Sequence, residues 1–226
     1  MKTRAAGFVS ILAIFIFLAG CASMPQALEE KEASREMRHS QEFRNALIYV
    51  KPNVDVKKYR QFYVEPVRIY RGADAQFADI SEEQKQKMAD FIRNEFIKAL
   101  KKSFEVVDKP GPGVLRIRFT LAGLQETVMP LATVTHALPA GLVVNLGLSA
   151  AHMNGSFMGS IVFGGEFFDG ETGELEAAFL ARKSPNAMNI TTIFAGLDAA
   201  KWAVTDAAEQ FRALMVEMHE KQRQIK

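Results

Sequence analysis

The stretch Val114 to Glu126, VLRIRFTLAGLQE, constrains the fold most. Leu115, Ile117 and Phe119 alternate with Arg116, Arg118 and Thr120, so an extended chain sends the two sets to opposite faces, one buried and one wet. A single strand of this kind has no stability of its own and requires a sheet with a covering layer. Pro110-Gly111-Pro112-Gly113 cannot continue a ladder and must turn, which leaves a short strand at Phe104 to Asp108 before it. A second hairpin is predicted from Gly159 to Phe168 and Glu174 to Lys183, joined by Asp169-Gly170-Glu171-Thr172-Gly173, whose aspartate and glycines supply turn geometry. Tyr59 to Tyr70 is rich in aromatic and β-branched residues and makes a first strand, with Pro66 placing it at an edge or a bulge. Gly164-Gly165, inside a strand, marks a bulge or a close backbone contact.

Two helices supply the cover. Ser81-Glu82-Glu83-Gln84 has the form of a capping box, and the helix after it is predicted over residues 82–102. Met88, Phe91, Ile92, Phe96, Ala99 and Leu100 form its apolar face. A second helix is predicted over residues 195–223, with Leu197, Ala200, Val204, Ala208, Phe211, Leu214, Met215 and Met218 on one stripe. The order of elements and the tight links between strands predict an α+β fold: an antiparallel sheet of about five strands with both long helices packed on one face.

The N-terminus stands apart from this domain. Met1-Lys2-Thr3-Arg4 is basic, and Ala5 to Leu18 is apolar and uncharged. About 14 apolar residues suit a secretory signal and fall short of the roughly 20 that span a bilayer. Leu18-Ala19-Gly20-Cys21 closes the segment and resembles the lipobox of bacterial lipoproteins, at every position. The resemblance implies cleavage between Gly20 and Cys21 and acylation of Cys21, the only cysteine in the chain. Acyl chains bury about 0.8 kcal/mol per CH₂, so a triacylated cysteine anchors essentially permanently. Residues 1–20 are then a removed signal peptide, residues 21–58 carry the lipid and a polar, charge-rich tether, at most about 120 Å if fully extended but expected to be shorter and partly helical from its mixed charges at helical spacing, and residues 59–226 form a single globular α+β domain.

Removing Lys2 and Arg4 with the signal lowers the basic count from 28 to 26, equal to the 26 acidic residues. A mature chain without net charge lacks the basic field of a nucleic-acid binder, and no nucleic-acid partner is expected.

Thr127 to Gly165 holds 39 consecutive residues without Asp, Glu, Lys or Arg, in a chain that is 24% charged. Pro139, Gly141, Asn145 and Gly147 interrupt it too often for a spanning helix. It is either a core hairpin or buried loop, or an apolar surface that docks on a partner or on lipid through Leu142, Val144 and Leu146. Trp202 lies opposite the apolar stripe of its helix among Asp198, Thr205, Asp206 and Glu209, as an interface residue or as the cover of a neighbouring loop.

Motifs for chemistry are lacking. His39, His136, His152 and His219 have no partner at ligand spacing, so no metal site is expected. Asp169 to Glu174 lacks the ligand pattern and length of an EF-hand and is a turn. No GxSxG elbow, phosphate-cradling glycine loop or glycosidase carboxylate pair is present. No catalytic residue and no cofactor are expected, and the chain is expected not to be an enzyme.

Tyr59-Arg-Gln-Phe-Tyr-Val-Glu-Pro-Val-Arg-Ile-Tyr70 and Gly165-Glu-Phe-Phe-Asp-Gly-Glu-Thr-Gly-Glu-Leu175, with the lipobox, resemble the proteobacterial lipoprotein family labelled domain of unknown function 3313. That family has no assigned reaction. Its strand–helix–strand order is similar to that of envelope accessory lipoproteins that act by binding. Ala22, rather than aspartate, after Cys21 implies the outer membrane by resemblance to the enterobacterial sorting rule. The expectation is an outer-membrane-anchored, periplasm-facing, non-catalytic accessory protein held to the membrane by lipidated Cys21 and binding another envelope protein, with the oligomeric state open. The alternative is a cell-wall or lipid-modifying enzyme, recognisable by a concave pocket holding titratable groups of shifted pKa.

Overall fold

The protein is described by a computed structural model covering residues 24–29, 36–40, 45–77, 79–126, 159–184 and 196–224. In chain order the strands are β1 (Arg38–His39), β2 (Ala46–Val50), β3 (Gln61–Val64), β4 (Arg68–Ile69) and β5 (Gln76–Phe77). Helix α1 (Glu82–Leu100) follows, then β6 (Glu105–Val106), β7 (Val114–Gln125), β8 (Ser160–Asp169), β9 (Leu175–Lys183) and helix α2 (Asp198–Gln224). The sheet order is β1-β2-β9-β8-β7-β3-β6, with β4 and β5 also pairing with β7.

The class is α+β with two helices on one face, but the expected antiparallel sheet of about five strands is a mixed sheet of nine. Two physical causes account for the difference. Helix α1 returns the chain to the end at which β3 began, so β7 runs the same way as β3, from Gln61↔Val114 to Val64↔Ile117. The strand count rises because the aromatic stretch breaks around Pro66, which has no amide to donate. The successive pieces β3, β4 and β5 then line the same edge of β7. Ala46–Val50, inside the stretch read as tether, adds β2 antiparallel to β9. Asn45 and Asn53 bracket it, both at φ 62, a conformation asparagine tolerates better than most residues.

The capping box forms as expected: Ser81 Oγ accepts from the Gln84 amide at 3.2 Å, and Gln84 Oε1 accepts from the Ser81 amide at 2.9 Å. The helices run parallel, joined by Thr205 to Glu95 at 3.1 Å and by Arg212 to Ser103 at 3.1 Å. Met88, Ile92 and Phe96 of α1 and Ala200, Val204, Ala208 and Met215 of α2 share one core cluster with Ile117, Phe119 and Leu121 of β7. The Phe119 ring centroid lies 4.2 Å from that of Phe96 and 6.5 Å from those of Phe163 and Phe179. Leu214, expected on the stripe, is 44% exposed. The glycine pair in β8 is a close contact on both faces rather than a bulge. A Cβ on Gly164 would meet Leu28 Cδ2 at 2.6 Å, and one on Gly165 would meet the Phe179 ring at 2.4 Å.

Phe119→Ala is expected to lower the unfolding free energy by about 3–5 kcal/mol, as for other buried aromatic truncations. Leu214→Ala should stay within about 0.5 kcal/mol. Urea unfolding of both variants checks this, and equal losses would contradict the assigned core.

Candidate functional site

One end of the sheet gathers the features that sequence reading singled out. Gln125 at the end of β7 pairs with Ser160 at the start of β8, and Ile161 pairs with Lys183 at the end of β9. The strand ends that flank residues 127–158 and 185–195 in the sequence are therefore neighbours at this end of the sheet. Neither stretch contains Asp, Glu, Lys or Arg. The first turn of α1 stands at the same end, with Gln84 Nε2 donating to Glu126 Oε1 at 2.6 Å. Lys183 ties the end of β9 to α2, reaching Asp206 at 2.9 Å and Gln210 at 3.1 Å. Trp202, on the second turn of α2, is 37% exposed, while Ala199, Ala200, Ala203 and Val204 around it are fully buried.

The second face of the sheet is covered by the chain just after Cys21. Met24 and Ala27 pack with Ala122, Val162, Leu180, Leu47 and Tyr70, and Leu28 packs with Ala178 and Tyr49. The Gln26 amide donates to Asp74 Oδ2 at 2.7 Å, and Asp74 Oδ1 accepts from the Tyr70 hydroxyl at 2.7 Å. These contacts hold the Asp74 carboxyl below its usual range, Tyr70 contributing most and the Gln26 amide next. Glu29 ends this strap in ion pairs with Arg68 and, at 3.0 Å, Arg118. Glu65 pairs with Arg116 at 3.2 Å and Arg118 at 3.1 Å, and both guanidinium groups stack over Phe168, at 4.4 and 4.8 Å. The alternation in β7 is thus real, but its arginine face is covered rather than wet.

A second polar cluster lies at the opposite end, around the β8–β9 turn. Asp169 accepts from the Glu171 and Thr172 amides at 2.9 Å each, from the Tyr59 hydroxyl at 3.1 Å and from Lys58 at 2.9 Å. Burial pushes the Asp169 carboxyl up. The Thr172 amide, Lys58, the Glu171 amide and Tyr59 together outweigh it and leave the group well below the usual carboxylate range. Burial raises the Tyr59 phenol, and hydrogen bonding raises the Lys58 ammonium. These groups lock a turn. A shallow depression of about 500 Å³ lies elsewhere, between Glu36, Arg38, Ile48, Tyr49, Val50 and Pro52.

Leu142, Val144, Leu146, Gly20 and Cys21 lie outside the described residues, so of the residues selected from sequence only Trp202 is placed. The strap was missed because its three apolar side chains, Met24, Ala27 and Leu28, show no period. The signal for a cover lay in β8, whose residues from Ser160 to Phe168 are all buried. A strand buried along its whole length, Glu166 included, is covered on both faces. Among the described residues no group of three or more His, Cys, Asp or Glu is arranged to hold a metal, and no helix is long and apolar enough to cross a membrane.

The family model described as "Protein of unknown function (DUF3313)" matches residues 32–211. No curated protein matches the chain. Among solved structures, the PelC dodecamer from Paraburkholderia phytofirmans is similar at 6% identity and a TM-score of 0.38, covering 73% of this chain and 96% of that one. Protein XCC0632 from Xanthomonas campestris, of the DUF330 family, is similar at 10% identity and a TM-score of 0.36, covering 73% and 88%. Likenesses this distant say nothing about activity or assembly.

Asp169 ionisation stabilises the fold above about pH 4, where the unfolded carboxyl is also ionised. That contribution is lost as pH falls toward the depressed native value, because the unfolded state takes up the proton first. Asp169→Asn is expected to flatten the fall in stability between about pH 4 and 2. An acid limb as steep as that of the parent, in urea unfolding across this range, would contradict the assignment.

Proposed function

The chain belongs to the DUF3313 family, and on that premise we propose that it is a non-catalytic accessory lipoprotein of the cell envelope. Cys21 anchors it to the outer membrane by acylation, and the domain binds another envelope protein. The observation that carries the binding role is the juxtaposition at one end of the sheet. Two stretches without formal charge, residues 127–158 and 185–195, leave from neighbouring strands there. Monomeric proteins seldom expose large contiguous apolar patches unless a partner covers them. Leu142, Val144 and Leu146 fall within the longer stretch and, with the half-exposed Trp202, are the proposed contacts.

The enzyme alternative calls for a concave pocket holding titratable groups of shifted pKa. The groups with displaced pKa values at the β8–β9 turn are consumed in locking that turn, and the depression between Glu36 and Pro52 holds none of them.

Two substitutions test the reading. Leu142→Asp and Val144→Asp, in cells carrying the lipidated chain, are expected to abolish co-purification of the partner while leaving the urea midpoint of the domain unchanged. Unfolding of either variant would make the stretch part of the core and remove the binding role. Cys21→Ala should shift the protein out of the membrane fraction and stop incorporation of labelled palmitate into it, whereas continued sedimentation with membranes would contradict anchoring.

A further inference from the structure

We propose that the end of the sheet formed by Gln125, Ser160 and the loop before α1 is the lipid-facing surface of the domain, held against phospholipid headgroups by the docked strap Met24–Glu29. The proposal rests on the acylation of Cys21 advanced above and adds what that reading lacks: an orientation and a distance.

The direction of the strap carries the inference. Gln26 is fixed to Asp74, in the loop between β4 and β5, and those strands pair with Thr120–Leu121 and Gly123–Leu124 of β7. Leu28 sits over Gly164, which pairs with Thr120, and Glu29 reaches Arg118. From Gln26 to Glu29 the strap therefore runs down β7, away from Gln125. The N-terminal end of the strap is thus the end nearer Gln125. Cys21 precedes Met24 by three peptide steps, about 10 Å at full extension. One headgroup layer is about 5–8 Å deep, so an anchor inserted at Cys21 leaves the domain little freedom to swing away.

The strap is seated as a packed element rather than a loose tail. Ala27 and Leu28 are 4% and 8% exposed, and Leu28 fills the space that a side chain at position 164 would occupy. Arg118, one of the two arginines that hold Glu29, is itself bonded to Glu65 and stacked on Phe168. Docking of residues 24–29 leaves three residues between Cys21 and the folded domain as the leash. A partner engaging the uncharged end is consequently met at the bilayer surface rather than deep in the periplasm.

The test places a photoreactive amino acid at one position at a time in the full-length, acylated chain bound to phosphatidylcholine vesicles. Gln125 and Asp79 mark the proposed lipid-facing end, and Lys109 and Thr172 the opposite end. Strand β7 has 12 residues, which separates the two ends by about 40 Å, so lipid adducts at Gln125 and Asp79 should exceed those at Lys109 and Thr172 by about tenfold or more. Glu29→Lys reverses the clamp at an exposed position outside the core. It should bring the Gln125 yield down to that at Thr172 while flotation with vesicles stays unchanged. Equal yields at both ends, adducts to a second copy of the chain in place of lipid, or an unaltered yield in the Glu29→Lys variant would overturn the proposal. Failure to float, with no acyl mass on Cys21, would remove the anchoring reading and this one with it. Flotation with equal yields removes this one alone.

Discussion

Everything in this fold turns on β8 being buried on both faces. From Ser160 to Phe168 every side chain is inside, and a strand in that position cannot be stable with one face in water. The two helices cover one face. They converge on Phe119, Phe163 and Phe96, whose tilted rings fill the space between sheet and helices. Among the described residues no helix covers the other face, and residues 24–29 pack there instead. Small residues make room for this cover: Ala122, Ala178 and Gly164 line the seat of Ala27 and Leu28. Below the apolar seat the face turns polar, and there Arg68, Arg116 and Arg118 meet Glu29 and Glu65. Partly desolvated ion pairs of this kind add little net stability, but they penalise any arrangement that leaves one partner alone. Their effect is to set the position at which the strap stops.

Much of this was legible in the residues. The Ser81–Gln84 capping box and the apolar face of α1 are local signals, and local signals survive folding because neighbouring residues satisfy them. The Asp169–Gly173 turn is equally local, since the aspartate bonds the amides two and three positions on. The parallel pairing of β3 with β7 is not local. It follows from the passage through α1, and the tight hairpins elsewhere misdirected the expectation toward an all-antiparallel sheet. Strand β2 was hidden by its surroundings: Leu47-Ile48-Tyr49-Val50 is a good strand sequence, but it sits in a charge-rich stretch that reads as spacer. The strap was hardest to see, because it has no periodicity and its partners are far away in sequence.

The same geometry joins two features that the sequence presents separately. The segment that resembles a lipobox, Leu18–Cys21, and the uncharged stretch lie more than a hundred residues apart, and nothing in their composition relates them. The strap relates them by its direction, because it enters the sheet from the end at which residues 127–158 and 185–195 depart. The proposed anchor and the proposed docking surface then fall on one side of the domain, an arrangement that suits work at the membrane plane. The polar cluster of Lys58, Tyr59 and Asp169 stands at the far end and stabilises the β8–β9 turn there.

The central claim is that residues 24–29 are part of the folded domain, and amide hydrogen exchange of the acylated chain tests it most directly. The Gln26 amide, bonded to Asp74, should exchange at least about tenfold more slowly than the same sequence in an unstructured peptide, as expected for a protected site. Exchange at the unstructured rate through this segment would show the second face of β8 to be uncovered, and the account of how the domain meets the membrane would fail with it.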